Sequence, residues 1–540
     1  MTRSSFHAPS LSRQHSMIAP TLALTPALSP REREKLSPSP ANSVAALAFP
    51  RCLVTSTETP RKSNAVGTRC NRTMIPPLLG ERAGVRAGIL NLSLTLLLLF
   101  LAFFLCLPDF AFAADKTPTR PNIVLILSDD MGFGDLGCYG GQLAPTPNLD
   151  RMATEGIRFT QYYSASPICS PSRTGILTSM YPARWRITSY LQTRKGNAAC
   201  GQADFLDPQA PSLARTLKAA GYATGHFGKW HLGGGRDVTN APPFSAYGFD
   251  EHASTWETPA PHPDITATNW IWSPQDKVKR WDRTAFFVDK TLDFLRRHKR
   301  QPCYVNLWPD DVHTPWVPSG ELLSECPNGP EPQRKFRAVL DEYDRQFGRF
   351  FAGLKELGID ENTLVIFTCD NGPLPTFTGQ RSAPFRASKL SLYEGGIRMP
   401  FVVRWPGHTP AGLVDEHSVI SAVDLFPSLC AIANVPLPKG EALDGENLSR
   451  AFLGKNVRRR KPLFWEYGRN DEAFAYPPGK DRSPNVAVRD GNWKLLINGS
   501  GPELYDLSND PAEEHNVTAE NGGRSERLSR VALRWRNSLP

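Results

Sequence analysis

The 540-residue chain contains no CxxC pair, which removes the ligand spacing of zinc ribbons and the redox motif of thioredoxin-like sites. It shows no internal repeat and only one long apolar run, so a multi-span membrane protein is excluded. It also lacks a charge imbalance in its main body. The formal net charge is +9, but residues 1–113 carry 12 Lys and Arg against 5 Asp and Glu, leaving 50 against 48 for the rest. A phosphate-tracking surface thereby loses its main support, and no nucleic-acid partner is expected. Hydrophobic residues at 40% and charged residues at 21% are ordinary globular values, which excludes wholesale disorder and collagen. At roughly 150 residues per domain the length suggests two to four domains and excludes a peptide hormone or a lone binding module.

Residues 1–73 are rich in Pro, Ser and Arg and follow neither helical nor strand periodicity, and residues 1–86 are expected to be a non-native or disordered extension. Phrases such as LTPALSPREREK look like translated intergenic repeat DNA, and the expected start lies at Met74 or later. Residues 87–113 read as a signal peptide: an apolar run over 87–107, Arg82 and Arg86 before it, and Ala111-Phe112-Ala113 after it. Export to the periplasm or beyond follows. The competing reading is an uncleaved anchor, the sole membrane contact expected. Phe104 and Leu105 are too bulky for a lipoprotein site at Cys106. Seven cysteines remain beyond this segment (Cys138, Cys169, Cys200, Cys303, Cys326, Cys369 and Cys430), and an odd count in an exported chain singles out one as special.

From residue 120 strands and helices alternate. NIVLIL (122–127), CYVNLW (303–308), TLVIFT (363–368) and PFVVRW (400–405) are continuous apolar runs suited to buried strands. Helices are predicted over 211–220, stopped by Gly221, and over 283–299 and 336–357. The pattern predicts an α/β fold over 118–440, a largely parallel sheet with helices on both faces. Residues 441–540 predict a smaller α+β subdomain: short antiparallel strands over 486–497 around an Asp-Gly turn, another at 502–507, and a final helix near 524–537.

Two of these runs end in polar clusters, Asp129-Asp130 and Asp370-Asn371-Gly372. Ligands of open α/β sheets bind beyond the carboxyl ends of strands, and three carboxylates with an amide oxygen form a hard donor set for Ca²⁺ or Mg²⁺. Either cluster alone also fits a solvated turn; together they favour a metal. The segment Cys169-Ser170-Pro171-Ser172-Arg173 places a cysteine near an arginine, which suits either a reactive thiolate or a buried structural cysteine.

This segment resembles the C-x-P-S-R signature of type I sulfatases of the alkaline phosphatase superfamily, secreted bacterial arylsulfatases among them. GYATGHFGKWHLG (221–233) resembles the second signature of that family, and its Lys and His fall on Lys229 and His231. His313 in DVHTPW is similar to the family's substrate-side histidine. Lys389 is similar to its second active-site lysine, and ELYDLSNDPAEEHNV (503–517) looks like its C-terminal subdomain. Two departures stand out: Ser179 closes the first motif where glycine is usual, and Ser388 and Leu390 replace glycines around Lys389.

The resemblance implies an alkaline phosphatase-like mixed sheet sandwiched by helices. It implies conversion of Cys169 to formylglycine by a formylglycine-generating or anaerobic sulfatase-maturating enzyme. It further implies a cation, Ca²⁺ before Mg²⁺, held by Asp129, Asp130, Cys169, Asp370 and Asn371. In the implied reaction the hydrated aldehyde attacks sulfur to give a covalent sulfoenzyme. Arg173 and Lys229 stabilise the nucleophile, Lys389 and His313 hold sulfate and protonate the leaving alcohol, and His231 drives release.

Seven of the 12 tryptophans lie between Trp230 and Trp316; they suit either core and loop packing or, where exposed, stacking on sugar rings. A sulfated polysaccharide or its oligosaccharides is therefore the expected substrate, with Arg381 and Arg386 available for a second anionic group. The rival readings are a phosphate or phosphonate monoester hydrolase on the same fold, disfavoured by Ser172 and GKWHLG, and a secreted glycan-binding pseudoenzyme that keeps the thiol. Six cysteines besides Cys169 allow 15 disulfide connectivities if all pair.

Overall fold

The computed structural model describes residues 120–268 and 271–540, so the predicted extension and signal segment lie outside the described residues. No helix among the described residues is long and apolar enough to cross a membrane. Among the described residues thirteen strands form two sheets. β1 (Asn122–Ser128), β2 (Ile157–Tyr163), β3 (Ala223–Gly228), β4 (Glu251–Ser254), β5 (Cys303–Trp308), β6 (Thr363–Cys369), β7 (Arg398–Arg404), β8 (Leu413–Asp415) and β9 (Ile420–Ser421) make the large sheet. Its order is β4-β3-β5-β1-β6-β7-β2-β8, with β9 also paired to β2. Every residue of β1, β3, β5, β6 and β7 is buried, so both faces are covered, as the unbroken apolar runs require.

All pairings in this sheet are parallel except those of β7 with β6 and with β2. The chain leaves β6 at Cys369, runs along the same edge of the sheet through residues 370–397, and enters β7 from that edge, which reverses its direction. This reversal keeps Asp370, Asn371 and Lys389 over the carboxyl ends of the parallel strands. The PFVVRW run is thus a buried strand, antiparallel to its neighbours.

The helices follow their apolar spacing. α1 (Cys169–Thr178) is wholly buried, and α2 (Leu213–Ala219) starts at Ser212, whose hydroxyl accepts the Arg215 N–H. α3 (Arg283–Arg297) packs on β3 and β5. α4 (Glu331–Glu356) buries Phe336, Val339, Leu340, Tyr343, Phe347, Phe350 and Leu354, a stripe at three- and four-residue spacing. It begins five residues before the predicted start, because its exposed first turn has no apolar residue to mark it; Pro332, lacking an N–H donor, is tolerated there.

The second sheet, β10 (Leu463–Glu466), β11 (Val486–Asp490), β12 (Trp493–Asn498) and β13 (Gly501–Asp506), is antiparallel in sequence order, and α5 (Gly522–Asn537) packs on it. The predicted Asp490-Gly491 turn joins β11 to β12, with Gly491 left-handed at φ 62°.

A buried charge cluster fastens this sheet to the loop before β7. The Lys494 ammonium lies 2.8 Å from both Glu394 Oε1 and Glu513 Oε1. Glu394 Oε2 accepts from Tyr163 at 2.6 Å and pairs with Arg398 at 3.2 Å, while Glu513 Oε2 accepts the Glu394 N–H at 2.6 Å. Burial alone would raise the Glu394 carboxyl, but Lys494, Arg398 and Arg489 hold it below the usual range; burial and the Glu394 charge push Glu513 up.

Candidate active site

Strand register assembles the site. Ser128 pairs with Cys369 and the Asp370 N–H donates to the Ser128 carbonyl, so Asp129 and Asp370 leave β1 and β6 side by side. Gly228 pairs with Trp308, and the Lys229 N–H donates to the Trp308 carbonyl. A Cβ on Gly228 would come within 1.9 Å of that carbonyl oxygen, so only glycine allows β3 and β5 to converge where Lys229 emerges. His313 follows β5, and Cys169 opens α1.

The ligand atoms of Asp129, Asp130, Cys169 and His313 lie within 4.8 Å of one another, all buried. Lys229 Nζ donates to Asp129 Oδ2 at 2.6 Å, and Lys389 Nζ donates to Asp130 Oδ1 at 2.5 Å while lying 3.5 Å from Cys169 Sγ. Arg173 grips Asp370 Oδ2 through Nε and Nη2, at 3.0 and 2.7 Å, and donates from Nη1 to the Lys229 carbonyl. Three carboxylates therefore face three cations. Asn371 Nδ2 donates to Asp130 Oδ1, while Asn371 Oδ1 and Asp130 Oδ2 are buried and accept no hydrogen bond. Unfilled buried oxygen acceptors of this kind suit a hard cation.

Burial pushes the Cys169 thiol up to about 12, against the pull of Lys229 and Lys389, so the residue as encoded is no thiolate nucleophile. Burial and then the Asp129 charge raise Asp370 to about 6.

The two histidines have defined tautomers, since a carbonyl can only accept. His231 Nε2–H donates to the Leu191 carbonyl at 3.1 Å and lies 3.3 Å from Glu257 Oε2, which leaves Nδ1 as a buried lone pair without a partner. Burial lowers His231 to about 3, so the ring is neutral. His313 Nδ1–H donates to the Thr314 carbonyl, and Nε2 lies 3.6 Å from Asp130 Oδ2.

A cavity of about 40 Å³ is lined by Asp129, Cys169, Lys229, His231, His313 and Lys389, together with Tyr190, Trp256, Glu257 and Arg280. The residues named for the catalytic and metal site thus lie at one edge of the sheet, although His231 makes its hydrogen bonds away from Cys169. Glu257 was not foreseen: it sits 26 residues past His231 in no motif, and His231 and Arg236 hold its carboxyl at about 2 against the effect of burial. A buried Arg280–Asp310–Arg283 network behind the cavity also escaped the sequence reading.

Two expectations fail. Trp230 and Trp308 are core residues packed around His226, and Trp272, Trp281 and Trp316 are half-buried; of this group only Trp256 lines the cavity. Arg381 is buried against Asp135, and Arg386 stacks on Tyr393 and contacts Asp481, so neither faces the cavity. All seven cysteines among the described residues are unpaired.

Of the residues that depart from the motifs, Ser179 and Leu390 have left-handed backbone and Ser388 does not. Ser179 caps α1 at φ 59°, its hydroxyl donating to the Val423 carbonyl, and Leu390 has φ 71°, its N–H held by the Pro167 carbonyl. The turns that glycine would favour are kept, with the strain offset by hydrogen bonds. Asp130 and His231 are left-handed too, at φ 59° and 54°.

Comparison with known proteins supplies the context. Residues 121–435 match the Sulfatase family model, and residues 387–529 match the C-terminal model of N-sulphoglucosamine sulphohydrolase. The chain is 31% identical to N-acetylgalactosamine-6-O-sulfatase of Bacteroides thetaiotaomicron, over 74% of this chain and 89% of that protein. It is 32% identical to human arylsulfatase A, over 75% and 85% respectively. Among solved structures, Ps i-CgsB in complex with k-i-k-neocarrahexaose superposes with a TM-score of 0.66 at 27% identity, covering 77% of this chain and 93% of that one.

Proposed function

We propose, from the premise that the chain belongs to the sulfatase family and is a sulfuric ester hydrolase, that it removes sulfate from a sulfated polysaccharide or its oligosaccharides. The observation that carries this reading is Cys169 seated between Asp129 and Lys389, amid cations and unfilled oxygen acceptors, at the end of the parallel strands. Relatives named for sulfated sugars support the substrate class.

Asp129, Asp130, Asp370 and Asn371, with residue 169, are the donors that fit Ca²⁺ better than Mg²⁺, since a crowded, irregular set of oxygens suits the larger ion. Formylglycine made from Cys169 by a maturating enzyme, together with that cation, supplies an activated oxygen nucleophile and positive charge for sulfate.

The chain's own groups do the remaining work. Arg173 fixes Asp370 and the backbone of Lys229, so that Lys229 and Lys389 stand as fixed cations around the sulfuryl oxygens. His313 presents Nε2 to the cavity, 3.6 Å from Asp130 Oδ2; burial holds the ring below the usual histidine range against the pull of Asp130, and a bound sulfate's charge would favour the protonated form that a departing alcohol needs. His231, neutral and with Nδ1 free, is suited to take a proton, and Glu257 orients it through Nε2–H. Residues 118–440 serve as the catalytic domain and 441–540 as a subdomain bracing its loop, and the signal-like segment directs export.

Mass spectrometry of the Cys169 peptide from the native host tests the first half of this reading; a carbonyl in place of the thiol is expected, and an unmodified thiol removes the nucleophile. Turnover of sulfate and phosphate esters with matched leaving groups tests the second half, and a preference for phosphate overturns it.

A further inference from the structure

A second concavity, of about 1120 Å³, lies where residues 456–461 meet the β11–β12 turn and the chain ahead of β9, and it shares no lining residue with the catalytic cavity. Six cationic side chains line it, Arg450, Arg458, Arg459, Arg460, Lys461 and Arg489, against one carboxylate, Asp490, which is itself paired with Arg527 at 3.1 Å. The body as a whole is nearly balanced in charge, so this concentration is local.

The backbone here is fixed, and three of the six charges are engaged while three are left over: Arg489 is buried and donates to Tyr163, Gln161 and the Gly491 carbonyl. Glu446 accepts the N–H groups of Arg460 and Lys461 at 3.0 and 2.7 Å, and the Lys461 ammonium donates to the carbonyls of Leu443, Asp444 and Gly445. Arg459 is buried, paired through Nη1 with Asp424 and bonded through Nε to the Lys461 carbonyl, yet its Nη2 has no acceptor. Arg450, Arg458 and Arg460 are exposed and have no acidic partner among the described residues.

We propose that this groove is a second binding site for the sulfated polysaccharide itself, holding a stretch of the anionic chain while one of its sulfates occupies the cleft. The inference rests on the polysaccharide reading above. The catalytic cavity has room for little beyond the sulfate group, whereas the groove is large enough for several sugar units and offers cations to a polymer that repeats its negative charge.

The test uses the matured full-length enzyme and a triple variant, Arg450→Ala, Arg458→Ala and Arg460→Ala, all solvent-facing. The expected result is a fall of about tenfold in kcat/KM on a sulfated polysaccharide, carried by KM and shrinking as salt rises, with a small aryl sulfate hydrolysed as before. An equal change on both substrates, or none on either, overturns the proposal. Binding to immobilised dextran sulfate is measured in parallel with Cys169→Ala, with and without the triple change. Retention lost with the arginines supports the groove, and unchanged retention overturns it. Loss of binding to duplex DNA or phosphatidylserine vesicles with dextran sulfate binding intact also overturns it, in favour of that other partner. Wild-type enzyme that hydrolyses aryl sulfate but no polymer overturns the substrate reading instead, and the groove is then judged by retention alone.

Discussion

The charge cluster at the strand ends and the cluster beneath the small sheet are both stripped of water and both built from carboxylates facing cations. Under the small sheet, each oxygen of Glu394 and Glu513 has an N–H, O–H or ammonium within 3.2 Å. At the strand ends, Asn371 Oδ1 and Asp130 Oδ2 accept nothing. Glu513 Oε1 too lacks a hydrogen bond but has the Lys494 ammonium at 2.8 Å, so the first cluster is a joint between the two sheets held by charge, whereas the second leaves oxygen acceptors of the kind that suit a cation. Variants that separate chemistry from stability test this contrast.

The largest expected effect is on chemistry alone. Cys169→Ala should lower kcat/KM by on the order of 10⁴-fold or more while leaving the thermal midpoint nearly unchanged, measured by turnover and by calorimetry. Lys494→Met should do the reverse. It leaves Glu394 and Glu513 buried without their shared counter-ion and should cost about 3–5 kcal/mol of stability, read by denaturant unfolding, with kcat per folded molecule retained. A Lys494 variant that unfolds normally but has lost kcat would show that the joint belongs to the site.

Smaller effects refine the contrast. Glu257→Gln should lower kcat by roughly ten- to a hundredfold with little change in KM, because His231 keeps its place in the cavity but loses its orienting charge. The joint should also respond to pH from both sides. Glu394, depressed, contributes stability above the ordinary glutamate value of 4.5 and loses it as pH falls. Glu513, raised, contributes below 4.5 and loses that contribution as pH rises. Stability from this cluster should therefore peak near that value, and Glu513→Gln should flatten the alkaline decline of the thermal midpoint. Ser179→Gly should be smallest, within about 1 kcal/mol in either direction, since relief of the left-handed backbone is set against loss of the bond to the Val423 carbonyl.

Much of the large sheet could be read from unbroken apolar runs: β5 spans the predicted residues and β6 differs by one. The direction of β7 could not, because reversal is a property of the 370–397 connection and not of PFVVRW. The residues at the strand ends were found because motifs mark them, but Glu257 reaches His231 only through the fold. Tryptophan and arginine misled for the same reason: residue type does not say whether a side chain faces a cavity, and Trp230, Trp308 and Arg381 are buried. The basic groove was hidden by averaging, since a body with 50 basic and 48 acidic residues gives no sign that six cations share one concavity.

Asp130, His231 and Leu390 hold left-handed backbone within or next to the catalytic residues. Glycine would relieve the backbone at each position, yet at Asp130 it would strand the buried Lys389 ammonium, and at both Asp130 and His231 it deletes a side chain proposed to act. At His231, backbone relief and the proposed chemistry therefore pull in opposite directions. A screen for thermal survival alone would enrich His231→Gly and deliver a sturdier, inert protein but would reject Asp130→Gly, whereas Leu390→Gly is the one place of the three where both demands can be met.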